Sequence, residues 1–320
     1  PLPIVAGAVV SGATFGDKLS PISDTTNLAA VAAGTDLYKH INSMLYTTIP
    51  TYIICLILFA IVGMEYSTDI ISNAEITAFQ AAIDENFVVS IWGFLPIVVM
   101  FSLSLLKFDA EPAMMASVAV AVILALMQQD RTILEVLKSL QDGYVASTGH
   151  EGLDTLVNRG GIQSMMWTLS MTFFALALGG LLDGAGFLRE LLKGLLEKIE
   201  SMFSLMFSTM CTGFLACMSM GESYISIIVT SQLFKDKFEK MNLKPYMLSR
   251  TVEESTTMAC GIIPWTTAGA FYFGAMGVPV LDYLPYAFLN YLNPIVSLTM
   301  TYFGIAVFRE MTKEEPELAE

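Results

Sequence analysis

Three acidic residues interrupt segments that are otherwise apolar. Asp17 and Asp24 lie in the run GDKLSPISDTTN, and Glu222 follows Gly221 within a long uncharged stretch. An ionised carboxylate near the centre of a membrane costs roughly 3 kcal/mol even on the lenient insertion scale, so it needs a cation, a proton or a water-filled cavity. These positions therefore predict a site at which carboxylates bind a cation or a proton.

Side chains with hard oxygen ligands surround these acidic residues. They are Ser20, Ser23, Thr25, Thr26 and Asn27 in the first segment, and Ser223, Ser255, Thr256 and Thr257, with the further carboxylate Glu254, in the second. Such oxygens suit Na⁺, and a carboxylate that can be protonated lets H⁺ compete with it. We predict a transport site built from these residues. Its candidate Na⁺ ligands are Asp24, Thr25, Asn27 and Thr256.

Each of the three carboxylates also has a purely structural interpretation. Asp17 can form an ion pair with the adjacent Lys18, which would have little energetic consequence. Asp24 can cap the helix that follows it, because Asp is favoured at that position. Glu222 can pair with a charge on another helix.

Two further acids, Glu253 and Glu254, are adjacent in sequence. On a helix they point about 100° apart, so at most one of them faces a cavity. We choose Glu254 as the residue that does so. Arg250 can pair with either at helical spacing.

The composition places the whole chain in a membrane. Only 14% of its 320 residues are charged and 54% are apolar, and the mean hydropathy is +0.62, whereas a soluble domain carries about 25% charge. The formal charge of −14 excludes the basic surface that nucleic-acid binding needs. The four cysteines and two histidines show no metal-ligand spacing, so we expect no cofactor, and we expect His40 and His150 to be solvated or interfacial.

Uncharged runs long enough to cross a bilayer of about 30 Å recur along the chain. They are 41–64, 86–106, 112–129, 160–182, 201–221, 255–281 and 283–308. They show no period-two alternation, and the backbone of a spanning segment must satisfy its own hydrogen bonds in lipid, so they are predicted to be helices. The predicted fold class is therefore an all-α polytopic membrane protein.

Charge bias predicts the orientation of the loops. Residues 65–85 contain acids but no Lys or Arg, whereas residues 235–250 are basic, so the first segment is predicted to be external and the second cytoplasmic. An amphipathic stretch at 187–199 is typical of a helix lying along the interface. The uncharged limb from Ser223 to Phe234 would reach only about 18 Å as a helix. It therefore predicts a re-entrant hairpin over 201–234 with its tip at 219–223.

The two polar segments look like an internal repeat. Gly16-Asp17 followed by SDTTN is matched by Gly221-Glu222 followed by ESTTM, which is typical of secondary transporters with broken helices at the repeat interface. Pro21 and Pro264 are the predicted helix breakers. We thus divide a single transporter domain, 1–320, into a first repeat core (1–64), intervening spans (65–200), a second repeat core (201–308) and a charged tail (309–320). The chain begins without Met, and we expect further spans before it.

Two runs of the sequence resemble a known family, the NhaC-type sodium/proton antiporters, which also includes malate/lactate antiporters. These runs are GATFGDKLSPISDTTNLAAVAAGTDLYKHINSMLYTTIP, residues 12–50, and SRTVEESTTMACGIIPWTTAGAFYFGAMGV, residues 249–278. The resemblance implies exchange of external H⁺ for internal Na⁺, sometimes coupled to organic anions. Carried onto this chain, it points to the residues of GDKLSPISDTTN and EESTT.

Several functions remain open at this point. The leading one is a secondary antiporter that exchanges Na⁺ for H⁺ across the cytoplasmic membrane by alternating access. The alternative is a carboxylate exchanger coupled to Na⁺ or H⁺. An intramembrane hydrolase ranks low because neither histidine is placed near a serine within an apolar segment, and nothing in the sequence favours a channel. The expected partners are the lipid bilayer, Na⁺, H⁺ and small carboxylates, with a homo-oligomer left open.

Overall fold

The computed structural model describes residues 2–21, 23–66, 73–106, 108, 110–129, 131–158, 160–186 and 199–309. Within these ranges the chain is helical, and its only β-structure is a single bridge between Leu243 and Arg309. The chain forms two compact units, one of residues 1–62 and 170–320 and the other of residues 63–169. The all-α prediction is thus confirmed, while the division into repeat cores stays a prediction.

The helices of the described ranges vary in length from 4 to 29 residues, and three 3₁₀ turns accompany them. They are α1 (Leu2–Lys18), α2 (Asp24–Ala33), α3 (Leu37–Glu65), α4 (Asn73–Asn86), α5 (Leu95–Leu105), α6 (Ala110–Gln128), α7 (Ile133–Asp142), α8 (Glu151–Val157), α9 (Met166–Gly184), α10 (Met202–Met220), α11 (Ser223–Lys240), α12 (Pro245–Cys260), α13 (Thr267–Met276), α14 (Val280–Tyr283) and α15 (Phe288–Tyr302). The 3₁₀ turns are Ile91–Phe94, Ile162–Met165 and Leu284–Tyr286.

Among the described residues, three helices are long and apolar enough to cross a membrane. These are Leu37–Glu65, Glu111–Gln128 and Met202–Met220, and the bent pair Ile76–Asn86 and Ile91–Leu103, at 90°, adds a fourth candidate. The uncharged runs 255–281 and 283–308 are not continuous spans as predicted. The first is divided between α12 and α13, and the second contains the 15-residue α15. Charge-free length alone does not reveal the breaks that proline and glycine introduce.

Both predicted proline breaks are confirmed. Pro21 lies between α1 and α2, and Pro264 lies between α12 and α13. After the first break, Ser23 caps α2 by accepting a hydrogen bond from the Thr26 backbone N–H at 3.5 Å. The two breaks place helix ends, with their polar backbone groups, inside the larger unit.

The hairpin of α10 and α11 turns where the sequence predicts. Gly221 adopts the left-handed conformation (φ 67°) that ends α10, and Glu222 caps α11. The second limb, however, continues as a helix to Lys240, so its 18 residues extend about 27 Å. The limb is therefore longer than its uncharged part, because the charged residues after Phe234 remain helical.

Helix α12 is central to the larger unit. It packs against α2, α10, α11 and α15, and starts with Pro245, which is pre-organised for the first helical position. The contact with α10 is close: a Cβ added to Gly213 would lie 2.0 Å from Ser255 Oγ. Apolar residues of α12, including Met247, Leu248 and Val252, join one buried cluster with neighbouring helices.

The two copies of the proposed repeat differ in local structure. Ser23–Asn27 spans the cap and first turn of α2, whereas Glu254–Met258 lies within α12. Short patterns of small polar residues suit both a helix N-terminus and a buried helix interior, so their sequence similarity does not fix the local structure. The predicted interfacial helix, the charged tail and residues 67–72 of the acidic segment fall outside the described residues, apart from Ile199 and Arg309.

Candidate ion-binding site

A cavity of about 630 Å³ lies where five helix ends meet. It is bordered by the C-terminal parts of α1 and α12 and by the N-termini of α2, α11 and α13. Its acidic lining residues are Asp17, Asp24 and Glu222, and its hydroxyl-bearing ones are Thr14, Thr25, Ser223, Tyr224, Thr257, Thr267 and Tyr272. Helix N-termini carry a partial positive charge, which favours the carboxylates gathered there.

Asp17 and Asp24 face this cavity from the two sides of the break at Pro21. Asp17 Oδ2 accepts a hydrogen bond from Thr25 Oγ1 at 3.2 Å. Asp24 is the first residue of α2 and is exposed, while the capping role falls to Ser23. The capping interpretation of Asp24 is therefore wrong, and so is the pairing of Asp17 with Lys18, because Lys18 is buried against other partners.

Glu222 combines capping with a place in the cavity lining. Its Oε2 accepts hydrogen bonds from the backbone N–H groups of Tyr224 and, at 3.2 Å, of Ile225. Ser223 Oγ lies 3.4 Å from the other carboxylate oxygen. The carboxylate is thus held in one orientation at the hairpin tip, with only 5% of the residue exposed.

The cavity is chemically suited to a cation. Among the described residues that line it, none is Lys, Arg or His. Thr257 Oγ1, also in the lining, has no hydrogen-bond partner in the described part of the chain, which leaves its oxygen available. No group of three or more His, Cys, Asp and Glu at metal-binding distance occurs among the described residues.

The predicted site residues divide between this cavity and its surroundings. Asp17, Asp24, Thr25, Glu222, Ser223 and Thr257 line the cavity. Asn27 instead donates to the Pro21 and Ser23 carbonyls, and Thr256 Oγ1 donates to the Val252 carbonyl. Neither of these two candidate Na⁺ ligands is in the cavity lining.

The remaining predicted residues hold the framework around the cavity. Ser20 belongs to the turn after α1, where its N–H donates to the Asp17 carbonyl. Ser23 caps α2, and Ser255 donates to the Val252 carbonyl while packing against Gly213. Thr26 and Glu254 point into a second, fully buried cluster.

The first part of this buried cluster is an ion pair between Lys18 and Glu254. Lys18 Nζ lies 3.6 Å from Glu254 Oε1 and donates to Asn293 Oδ1 at 2.6 Å. Thr47 Oγ1 donates to the same Glu254 oxygen. Both charged side chains are fully buried, so each supplies the counter-charge that the other needs.

The second part joins His40 to Glu253. His40 Nε2 lies 2.6 Å from Glu253 Oε2, and His40 Nδ1 lies 2.7 Å from Ser249 Oγ. Thr26 Oγ1 lies 3.0 Å from the other Glu253 oxygen. All four side chains are buried, so the expectation that His40 is solvated or interfacial is wrong. Its partner Glu253 lies 213 positions along the chain, where sequence spacing gives no indication of contact.

Arg250 is buried nearby and forms no ion pair with the described residues. Its Nη1 donates to the carbonyls of Ser43 at 3.3 Å and Ala306 at 3.1 Å. Its Nε and Nη2, like Glu254 Oε2, have no hydrogen-bond partner among the described residues. The predicted pairing of Arg250 with Glu253 or Glu254 is therefore not formed within ion-pair distance.

A helical period in α12 is the signal that could have identified this cluster. Its polar side chains recur at intervals of three and four residues, which places them along one side of the helix. They are Tyr246, Ser249, Arg250, Glu253, Glu254 and Thr257. The stripe extends along α12 and ends at Thr257, which lines the acidic cavity.

The Ser249–His40–Glu253 chain resembles the residue set of a hydrolase, which the sequence spacing did not suggest. In the established triad the serine bonds Nε2 and the carboxylate bonds Nδ1, whereas here the two nitrogens are exchanged. Ser249 is also fully buried, so no substrate reaches its hydroxyl in this conformation. The geometry does not suit nucleophilic catalysis.

Apolar helices, breaks at the polar segments and an acidic cavity among helix ends define a multi-pass membrane transporter. The chain belongs to the Na⁺/H⁺ antiporter family, whose model matches residues 12–305. It is 37% identical over 97% of its length to the Na⁺/H⁺ antiporter NhaC of Alkalihalophilus pseudofirmus, and 35% identical over 94% to NhaC of Bacillus subtilis; it covers 67% of each.

A third relative carries a different name. The chain is 33% identical, over 95% of its length and 65% of the relative's, to the malate-2H⁺/Na⁺-lactate antiporter of Bacillus subtilis. No solved structure matches the chain. The resemblance to the NhaC-type family is thereby confirmed.

Proposed function

We propose that this chain exchanges Na⁺ for H⁺ across the cytoplasmic membrane by alternating access. The observation that carries the proposal is the cavity into which Asp17, Asp24 and Glu222 project without a basic side chain in its described lining. Three carboxylates in one cavity favour a cation strongly. The names of the two NhaC relatives support Na⁺ as that cation.

The mechanism uses competition between a cation and protons. When the cavity faces the side with Na⁺, the carboxylates and the free Thr257 oxygen coordinate the ion. When it faces the other side, a proton taken up by the protein replaces the charge of the ion, and the ion leaves. Because each charge in the membrane interior is costly, a return with neither Na⁺ nor H⁺ bound is disfavoured, and this couples the two flows.

Exchange of small carboxylates is the second candidate function. The relative named a malate-2H⁺/Na⁺-lactate antiporter favours it, and a cavity of about 630 Å³ is large enough for such an anion. An anion would need Na⁺ or H⁺ beside it to offset the acidic lining. The α2, α11 and α13 N-termini are the groups that would attract its carboxylate.

Proteoliposomes of the full-length protein separate the two functions. An imposed pH gradient is combined with Na⁺, Li⁺, K⁺, malate or lactate on the opposite side, and a pH-sensitive dye reports proton movement. We expect proton movement with Na⁺ alone. Proton movement that requires malate or lactate would instead establish carboxylate exchange.

A further inference from the structure

A hydrogen-bonded chain of four buried side chains lies beside the cation cavity and has no role in the cation site itself. It runs from Ser249 through His40 and Glu253 to Thr26, with donor–acceptor distances of 2.7, 2.6 and 3.0 Å. Histidine is the side chain whose charge normally changes between pH 5 and 8. A histidine sealed in this way is a candidate for holding a proton rather than for packing.

Ser249 allows both protonation states of His40 to be fully hydrogen-bonded. With one ring proton, His40 donates from Nε2 to Glu253 and accepts at Nδ1 from the Ser249 hydroxyl. With two ring protons, both nitrogens donate, and Ser249 turns its own proton to the Tyr246 carbonyl, 3.2 Å away. An unsatisfied buried polar group costs about 1 to 3 kcal/mol, and neither state incurs that cost here.

Thr26 gives the same freedom to Glu253. The Thr26 hydroxyl carries one proton but lies close to Glu253 Oε1 and to the Lys18 carbonyl, the latter at 3.1 Å. It donates to Glu253 when the carboxylate is ionised. When Glu253 is protonated, Glu253 donates to Thr26, which then donates to the carbonyl of Lys18.

One extra proton on the His40–Glu253 pair changes the net charge of this region by the same amount as one bound Na⁺. Asp17 and Lys18 on α1 interact electrostatically with Glu253, and the charged residues Arg250 and Glu254 flank it along α12. With Lys18, Arg250, Glu253 and Glu254 ionised, the buried cluster is neutral, and a second proton on His40 adds one positive charge. A Na⁺ ion adds the same charge to the cavity.

The His40–Glu253 pair lies partway along α12, between two cavities at the ends of this helix. At the N-terminal end lies a second cavity of about 370 Å³ lined by Lys39, Lys244, Ser43 and Tyr246 among others. Ser43 and Ser249 both donate to the Tyr246 carbonyl. At the other end, Thr26 adjoins Thr25, which bonds Asp17 in the cation cavity. The pair thus lies between a basic cavity and an acidic one.

We propose that His40 and Glu253 together hold the exchanged proton, at a site separate from the cation cavity, and that Na⁺ entry beside Asp17 expels it. The inference rests on the proposed Na⁺/H⁺ exchange. In the loaded state the pair carries two protons, one on each ring nitrogen of His40. On release the Nδ1–H bond breaks, the proton leaves past Ser249 towards the basic cavity, and His40 remains neutral with its Nε2–H bonded to Glu253.

Nitrogen NMR of labelled histidine tests this directly. The chain has two histidines, so the His150→Gln variant leaves His40 as its only imidazole. We expect Na⁺ to convert His40 from the doubly to the singly protonated form, with its pH midpoint falling by up to about one unit for each tenfold rise in Na⁺, as reciprocal linkage requires. K⁺ at equal ionic strength is the control. A midpoint that does not depend on Na⁺ overturns the proposal.

Transport assays add a readout that separates proton coupling from cation binding. In His40→Gln and Glu253→Gln, we expect exchange of radiolabelled Na⁺ against Na⁺ to persist, while uptake driven by a pH gradient falls by about 100-fold. His150→Gln should match the wild type. Wild-type-like proton-driven uptake in His40→Gln overturns the inference alone. A wild-type protein without Na⁺-dependent proton movement overturns the proposed function instead. If both buried variants fail to fold, the His40 titration decides.

Discussion

Asp24 has two possible roles, as the cap of α2 or as an acid in the cavity lining, and the structure distinguishes between them. The cap of α2 is Ser23, and the Asp24 side chain faces the cavity instead. A change that removes its charge therefore leaves the helix end intact. This makes Asp24 a direct test of the cation site.

We predict that Asp24→Asn lowers Na⁺/H⁺ exchange by at least about tenfold without a fall in stability, because removing this ligand charge from the cavity lining weakens Na⁺ binding by more than about 1.4 kcal/mol. Exchange is measured in proteoliposomes and stability by thermal unfolding in detergent. Asp282→Asn, which neutralises an exposed acid outside the cavity lining, is the matched control. Unchanged exchange with unchanged Na⁺ affinity would move the cation site to Asp17 and Glu222.

Lys18 and Glu254 are predicted to stabilise the fold as a pair. Lys18→Met leaves the fully buried Glu254 without its cation, and breaking a buried pair in this way costs about 3 to 5 kcal/mol. The loss should appear as a lowered unfolding temperature. The double variant Lys18→Met/Glu254→Gln removes both charges and should recover most of the stability. Equal losses in the single and double variants would show that the pair contributes no such coupling.

At this scale the sequence singles out residues whose type is unusual for their surroundings. Acids in apolar segments drew attention to Asp17, Asp24 and Glu222, because a membrane makes such residues expensive, and the structure brings these three to one cavity. Sequence reasoning failed at His40, whose partners Ser249 and Glu253 are more than 200 positions away and are brought close only by packing. It favoured Glu254 over Glu253 as the acid that faces the cavity, whereas the cavity lining contains neither and Glu253 bonds the histidine.

At the scale of elements, the close contact between α10 and α12 depends on a glycine, Gly213, which has no side chain to keep the helices apart. A Cβ at Gly213 would lie 2.0 Å from Ser255 Oγ and 2.9 Å from Ser255 Cβ, closer than Cβ atoms come to their neighbours in proteins. The Ser255 side chain, or the helix that carries it, must therefore shift if Gly213 is replaced. The close approach of the two helices holds α12, and with it the buried charges, in place.

We predict that Gly213→Ala destabilises the protein by about 1 to 3 kcal/mol, the usual cost of overpacking. Gly12→Ala is the matched control, because it lies within α1 and a Cβ there meets nothing within 4 Å. That control should be neutral or slightly stabilising, since Ala favours a helix more than Gly does. Thermal unfolding of both variants provides the comparison. Ser255→Gly, combined with Gly213→Ala, should restore part of the loss.

The ends of helices could be predicted from the sequence only where a proline or glycine breaks the helix. Pro21, Pro264 and Gly221 mark breaks that the structure contains. Uncharged length, by contrast, overestimated the continuous spans and underestimated α11, since it ignores the helical continuation through charged residues to Lys240. The two proposed repeats also differ in local conformation, because similar polar residues can occur both at a helix N-terminus and inside a helix.

At the scale of the whole molecule, the charge distribution predicts an orientation. Residues 65–85 should be external, and residues 235–250, with their lysines, should be cytoplasmic. Asp84 and Lys240 are exposed residues within these two segments. They provide positions for labelling.

We expect a membrane-impermeant thiol reagent to label Asp84→Cys in intact cells and Lys240→Cys only after permeabilisation. Each is introduced after the native Cys55, Cys211, Cys217 and Cys260 have been replaced, and retained exchange confirms that the background is functional. External labelling at position 240 without labelling at 84 would reverse the orientation.

The polarity of α12 has a consequence for how the protein is made. Arg250, Glu253 and Glu254 would each cost about 3 kcal/mol to place in bare lipid, so the nascent helix cannot leave the translocon alone. Its partners Lys18, Thr26 and His40 precede it in the chain and are synthesised first, as is α10. The helices made first therefore offer α12 polar partners as it enters the bilayer. Asn293, which bonds Lys18, and the Ala306 carbonyl, which accepts from Arg250, are added afterwards.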